Sequence, residues 1–162
     1  MMKVALVMGS ISDWSVVKDT ADMLETLNIE FDKKIISAHR MPNELQEFGQ
    51  NAKNEHYSVI IAAAGGAAHL PGMLAANTSV PVIGIPVLTQ ALSGIDSLLS
   101  IVQMPAGVPV ATVAVGKAGA KNAAILAAEM IAISDPKTYE RLTEFRAQQT
   151  KEAIASNEQL HE

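Results

Sequence analysis

The chain has 162 residues, 49% of them hydrophobic, and its 12 Lys and Arg against 17 Asp and Glu give a formal net charge of −5. This is enough chain for one domain with a substantial core, and the basic residues are scattered, which argues against a nucleic-acid-binding stripe and leaves any anionic ligand to be held locally. The absence of cysteine removes disulfides, thiolate metal sites and cysteine nucleophiles together and fits a cytoplasmic protein.

The first apolar run, residues 3–8, is too short for the hydrophobic part of a secretion signal, and later apolar stretches are broken by Gly, Pro or charge before membrane-spanning length. A soluble protein is expected. In chain order, strands are predicted at 4–8, 34–37, 59–64, 80–85 and 110–115, and helices at about 13–27, 42–54, 71–77, 94–103 and 117–133. The strands read as nearly continuous apolar runs, as parallel strands do when helices cover both faces. The pattern predicts a single α/β domain over 1–162: a three-layer, doubly wound parallel sheet of the flavodoxin-like kind with a C-terminal helix.

In such a sheet, ligands collect at the carboxyl ends of the strands. The first strand runs into Gly9-Ser10-Ile11-Ser12-Asp13-Trp14. Ser12 or Asp13 is expected to cap the next helix, Gly9 to permit a tight turn, and the hydroxyls with free peptide N–H groups to suit a phosphate. The glycine and lysine spacings of nucleotide-binding loops are missing, and an ordinary capping turn would explain Ser12 and Asp13 without Ser10. The second strand ends in Ser37-Ala38-His39-Arg40-Met41-Pro42, with Pro42 placed for the first turn of a helix. Arg40 offers a planar donor fork for a phosphate, and its charge beside His39 favours the neutral imidazole that a base requires. A surface His-Arg pair is the alternative.

The third strand leads into Ala62-Ala63-Ala64-Gly65-Gly66-Ala67-Ala68-His69-Leu70-Pro71-Gly72. Side chains this small let backbone approach a flat molecule, and His69 is the one group there able to exchange a proton near neutral pH. The same stretch also fits a turn whose histidine is hydrogen-bonded into the core. Further on, residues 118–133 are apolar on several faces of a helix, which calls for burial on all sides and, in a small domain, for help from another subunit. From Pro136, a charged helix carries a stripe of Tyr139, Leu142, Phe145 and residues 149–153, expected to dock on a neighbouring protomer or on its own sheet.

Together these motifs resemble the class I branch of the purine-biosynthetic 5-(carboxyamino)imidazole ribonucleotide mutases, the catalytic-subunit family of phosphoribosylaminoimidazole carboxylase. The likeness covers the 9–14, 37–40 and 64–72 motifs, then Ala91-Leu92-Ser93-Gly94-Ile95-Asp96-Ser97-Leu98, Ser100-Ile101-Val102-Gln103-Met104-Pro105 and Gly116-Lys117-Ala118-Gly119-Ala120-Lys121-Asn122-Ala123. Met41 stands where the family usually has Thr, and Ala63 where Gly is common, both touching the fine shape of the pocket.

The resemblance implies an enzyme that moves a carboxylate from the exocyclic nitrogen of aminoimidazole ribonucleotide to the ring carbon without ATP, metal or organic cofactor, in a homo-octamer. The carbamate loses carbon dioxide in a closed site, the ring carbon recaptures it, and a histidine removes the ring proton. Carried over by position, Ser10, Ser12, Asp13, Ser37 and Arg40 hold phosphate and ribose, and His39 is the general acid/base. His69, the second catalytic candidate, joins Ala64, Gly65 and Leu70 around the base and the carbon dioxide. The four histidines, His39, His56, His69 and His161, show no close metal-ligand spacing. Two other readings remain: the sister branch, which carboxylates directly from carbon dioxide but carries Lys at the position of Arg40 and lacks the Ala67-Ala68-His69 wording, and a catalytically silent nucleotide sensor.

Overall fold

In the computed structural model, which describes residues 2–161, the elements are β1 (Lys3–Met8), α1 (Trp14–Thr26), β2 (Glu30–Ile35), α2 (Pro42–Asn51), β3 (Tyr57–Gly65), α3 (Leu70–Asn77), β4 (Val82–Val87), α4 (Ile95–Val102), β5 (Ala111–Thr112), α5 (Lys117–Ala132) and α6 (Pro136–Ala155). The strands form one parallel sheet in the order β2-β1-β3-β4-β5. Period-two alternation sends Val4, Leu6 and Met8 of β1 and Val59, Ile61 and Ala63 of β3 into a core with α1, α5 and α6. The residues between them, Ala5, Val7, Ile60, Ala62 and Ala64, enter a second core with α2, α3 and α4. Burial on both faces is why β1, β3 and β4 read as unbroken apolar runs, and it gives the expected three layers.

Three strands differ from the sequence expectation. β2 lies at Glu30–Ile35 rather than 34–37, because it is a sheet edge that pairs only with β1 and exposes Glu30, Lys33 and Lys34. Its apolar end drew the expectation four residues too far. Ile36 nevertheless extends the ladder, its N–H donating to Met8 O at 2.9 Å. β4 runs to Val87, two residues beyond 85, and β5, the other edge, is only Ala111–Thr112 instead of 110–115. Past β5 the chain makes two more backbone bonds to β4, Val113 N–H to Gly84 O and Gly116 N–H to Pro86 O, and turns at Gly116, whose φ is +76°.

The alanines of α5 find their cover inside the chain. Ala120, Ala123, Ala124, Ala127 and Ala128 are fully buried, and Thr20 of α1 donates to Ala120 O at 2.8 Å. Small residues bring α5 close to α1 and the sheet, which satisfies most of the burial that the sequence had assigned partly to another subunit; Ile125, Leu126 and Met130 stay half-buried. The stripe on α6 is split. Leu142 and Phe145 pack into the chain's own core, whereas Tyr139 and residues 149–153 are exposed. Elsewhere Ile95, Leu99 and Val102, spaced for one face of α4, are exposed at 59%, 51% and 48%, with Leu88 and Leu92 exposed just before them.

Two helical glycines test how tightly these layers meet. A Cβ on Gly119 would stand 1.6 Å from Ala114 O, a backbone atom, whereas one on Gly72 would meet the movable Met104 sulfur at 2.6 Å. Alanine gains up to about 1 kcal/mol of helix propensity over glycine, but overpacking costs about 1–3 kcal/mol. Gly119→Ala should therefore lower the thermal midpoint clearly and Gly72→Ala should leave it nearly unchanged; an equally stable Gly119→Ala protein would contradict the packing described.

Candidate active site

The carboxyl ends of β1, β2, β3 and β4 surround a cavity of about 350 Å³. It collects all ten residues singled out from the sequence: Ser10, Ser12 and Asp13 after β1, Ser37, His39 and Arg40 after β2, and Ala64, Gly65, His69 and Leu70 at the end of β3. A larger hollow of about 740 Å³ at the amino ends of the strands is lined by Met2, Glu25, Glu30 and Arg141 among others, and holds no imidazole.

In the first loop Asp13, one of the two residues expected to cap the next helix, is the N-cap of α1 but makes no side-chain cap bond to it; the side-chain cap is that of Ser10 on the turn before the helix. Ser10 Oγ accepts from Ser12 N–H at 3.3 Å and Asp13 Oδ2 accepts from Ser10 N–H at 3.0 Å, a reciprocal capping box over the 3₁₀ turn Ile11–Asp13. Gly9 does not use a left-handed backbone, and a Cβ there would meet only ordinary contacts. Burial pushes the Asp13 carboxyl above its usual range, partly opposed by the Ser10 and Gly9 peptide donors.

After β2, Arg40 Nε donates to Ser37 Oγ at 3.0 Å, which holds the guanidinium of this cavity-lining residue. Among the described residues no carboxylate lies within ion-pair distance of Arg40. Pro42 starts α2 as expected.

After β3, Gly66 takes φ +70°, and the chain folds back on itself through Ala68 N–H to Gly66 O and His69 N–H to Ala67 O, both at 2.8 Å. Fully buried Ser97 of α4 anchors this loop from behind: its Oγ accepts from Gly66 N–H at 2.9 Å and donates to Val87 O at 2.7 Å. Ser100 Oγ lies 3.1 Å from Gly66 O. The loop thus held delivers His69, which is exposed to the cavity rather than bonded into the core. His39 Nε2 and His69 Nδ1 are 2.7 Å apart, with the rings edge to face at 75° and centroids 4.8 Å apart.

Several residues escaped the sequence reading. Val87, Leu88 and Thr89 form a fourth wall, hidden because β4 was expected to stop at residue 85. Ser97 carries no local signal, since its importance depends on burial. Met41 and Ala63, the two departures from the family pattern, do not line the cavity: Ala63 faces the α1 and α5 core, and Met41 packs near Phe48. Among the described residues no group of three or more His, Cys, Asp or Glu is placed to hold a metal, and no helix is long and apolar enough to cross a membrane.

The family model described as AIR carboxylase matches residues 3–152. Proteins named N5-carboxyaminoimidazole ribonucleotide mutase are similar along nearly the whole chain. The one from Pseudomonas aeruginosa is 56% identical over 151 residues, 93% of each chain. That from Escherichia coli K12 is 54% identical over 94% of this chain and 90% of its own, and that from Bacillus subtilis 51% over 97% of each. Among solved structures, Treponema denticola PurE superposes with a TM-score of 0.89 over 100% of both chains at 24% identity, which speaks for the fold.

Removing the Ser97 hydroxyl strands the Gly66 N–H and a Val87 carbonyl lone pair in a buried site, at a cost of about 1–3 kcal/mol. Ser97→Ala should lower the urea midpoint accordingly, and Ser100→Ala, at a residue that is only half-buried, should lower it less. Equal, negligible losses from both would show that the loop is not held from α4.

Proposed function

The chain belongs to the AIR carboxylase family, and on that premise we propose that this cavity performs the mutase reaction of purine biosynthesis with His39 as its general acid/base. The activity is an isomerisation: N5-carboxyaminoimidazole ribonucleotide becomes the isomer carboxylated on the ring carbon. One observation carries the assignment of residues. An imidazole with a ring nitrogen free for a ligand stands next to a guanidinium that has no counter-ion among the described residues, in one cavity at the strand ends.

The chemistry follows from what each wall offers. Arg40, with the Ser10 and Ser12 hydroxyls, binds the ribonucleotide phosphate, and Ser37 keeps the fork of Arg40 in plane. Asp13 takes the ribose. The carbamate carbon–nitrogen bond breaks, carbon dioxide leaves, and an imidazole N–H gives its proton to the nitrogen. The electron-rich ring carbon then bonds to the trapped carbon dioxide, and the imidazole recovers a proton from that carbon. Ala64, Gly65 and Leu70 make a wall without hydrogen-bonding side chains against which the gas is held close to the ring. Every group exchanged comes from the substrate itself, so the balance calls for no ATP, metal or redox cofactor. Arg40 in place of Lys, and the Ala67-Ala68-His69 wording, favour the mutase over direct carboxylation.

The assembly proposed is a cytoplasmic homo-octamer. The exposed apolar face of α4 and the uncovered second half of α6 support an association of protomers, with residues 136–162 docking partly on a neighbour.

His39→Asn keeps an amide of similar reach but no titratable nitrogen. Binding should survive while isomerisation of purified protein, assayed without ATP or metal, falls by about 10²-fold or more. Near-normal turnover would refute the role of His39. Arg40→Ala should weaken the phosphorylated ligand by on the order of 1.5–3 kcal/mol and spare the dephosphorylated one; equal losses would refute the phosphate contact. Light scattering should show a multimer of the 17.1 kDa chain, lost or reduced when 136–162 are deleted; a stable, active monomer would refute the assembly.

A further inference from the structure

We infer that His39 and His69 work as one acid–base unit sharing a bridging proton, with His69 as the positioning partner that fixes which nitrogen of His39 meets the ligand. This rests on the reading of His39 as general acid/base and adds a division of labour within it. Two ring nitrogens 2.7 Å apart attract only when a single proton lies between them, because two bare nitrogens repel and two N–H groups collide.

The consequence is a strict coupling of tautomers. When the bridging proton belongs to His39 Nε2, His39 Nδ1 is bare and His69 must carry its own proton on Nε2. When it belongs to His69 Nδ1, the roles reverse. Either neutral arrangement therefore shows the cavity one base and one donor, on opposite rings. One added proton makes both outer nitrogens donors and keeps the bridge, now charge-assisted. A second added proton puts N–H against N–H and opens the pair.

That capacity of one extra proton matches the reaction. The isomerisation gives one proton to nitrogen and takes one from carbon, so the singly charged pair is regenerated at each turnover. His39 Nδ1 makes the exchange and His69 holds the bridge, much as a carboxylate orients a catalytic histidine elsewhere, but without a carboxylate's fixed charge. The other charged residues lining the cavity are Asp13, from the turn after β1, and Arg40, from the loop after β2. From α4, Asp96 is occupied by Thr89 Oγ1 at 2.6 Å. Arg40 opposes a second proton on the pair and Asp13 favours it, so neither alone dictates the outcome.

The test is a ¹⁵N NMR titration of the imidazoles in the full-length, ligand-free protein. In the unmodified protein the nitrogens of both rings should respond together in the same steps, as coupled sites do. In His69→Asn, where the amide oxygen still accepts from His39 Nε2–H, His39 should titrate in one step, and the acid limb of the kcat/KM profile should disappear. Rings that titrate independently in the unmodified protein, at pH values that Asn at the other position leaves unmoved, would overturn the shared proton. An active His39→Asn enzyme would instead overturn the general-base reading beneath it. An inactive His39→Asn enzyme with independent titrations would remove the pairing alone.

Discussion

Everything at the site depends on β1 lying between β2 and β3. The chain leaves β1 for its neighbour on one side, β2, and then crosses to the other side for β3, so the loops after all three strands face each other across the point where the order reverses. The ladder itself fixes how closely they meet: Gly9 N–H donates to Ala63 O, and Ile36 N–H donates to Met8 O. Hydroxyls, guanidinium and imidazoles from segments some thirty residues apart thereby come to one cavity as a result of strand pairing, not of any long-range side-chain contact made for the purpose.

Small side chains then decide what the cavity can hold. β3 ends in alanines and glycines because both its faces are packed, and the same economy leaves space in front of Ala64 and Gly65. Such a loop would be too free to aim an imidazole, since glycine loses the most conformational entropy on ordering. The answer lies behind it, where Ser97 binds Gly66 and Val87 at once and ties the loop to α4. Preorganisation of His69 is thus supplied from the second core, and the open face of the loop is left to the ligand.

The buried parts of this fold were legible in the sequence, and the edges were not. β1, β3 and five helices announce themselves because two-sided burial imposes apolar runs and helical spacing. β2 obeys no such rule: an edge strand with Glu30, Asp32, Lys33 and Lys34 reads as a loop. The loops that carry the ten candidate residues could be found because polar and very small residues at strand ends are unusual there. Ser97 and Thr89 could not, because a serine within a helix or a threonine in a turn gains its meaning only from what it faces. The side-chain cap at Ser10 was not foreseen for a similar reason, since Ser12 has the same side chain and only the 3₁₀ turn ahead of α1 distinguishes them. Nor does any spacing rule bring His39 and His69, thirty positions apart, to 2.7 Å.

The single chain leaves one physical requirement unmet. A reaction that releases carbon dioxide and recaptures it needs walls on every side, yet both imidazoles and Arg40 are exposed, and the lining residues come from the loops at four strand ends and the first residue of α3. Leu88 itself lines the cavity and is exposed, as are Leu92 and the apolar face of α4 that follow it in the chain, and hydrocarbon left in water costs free energy that a covering surface would recover. The proposed assembly of protomers and the proposed chemistry therefore make the same demand: the surface that hides these leucines is also the surface that would keep the gas beside the ring.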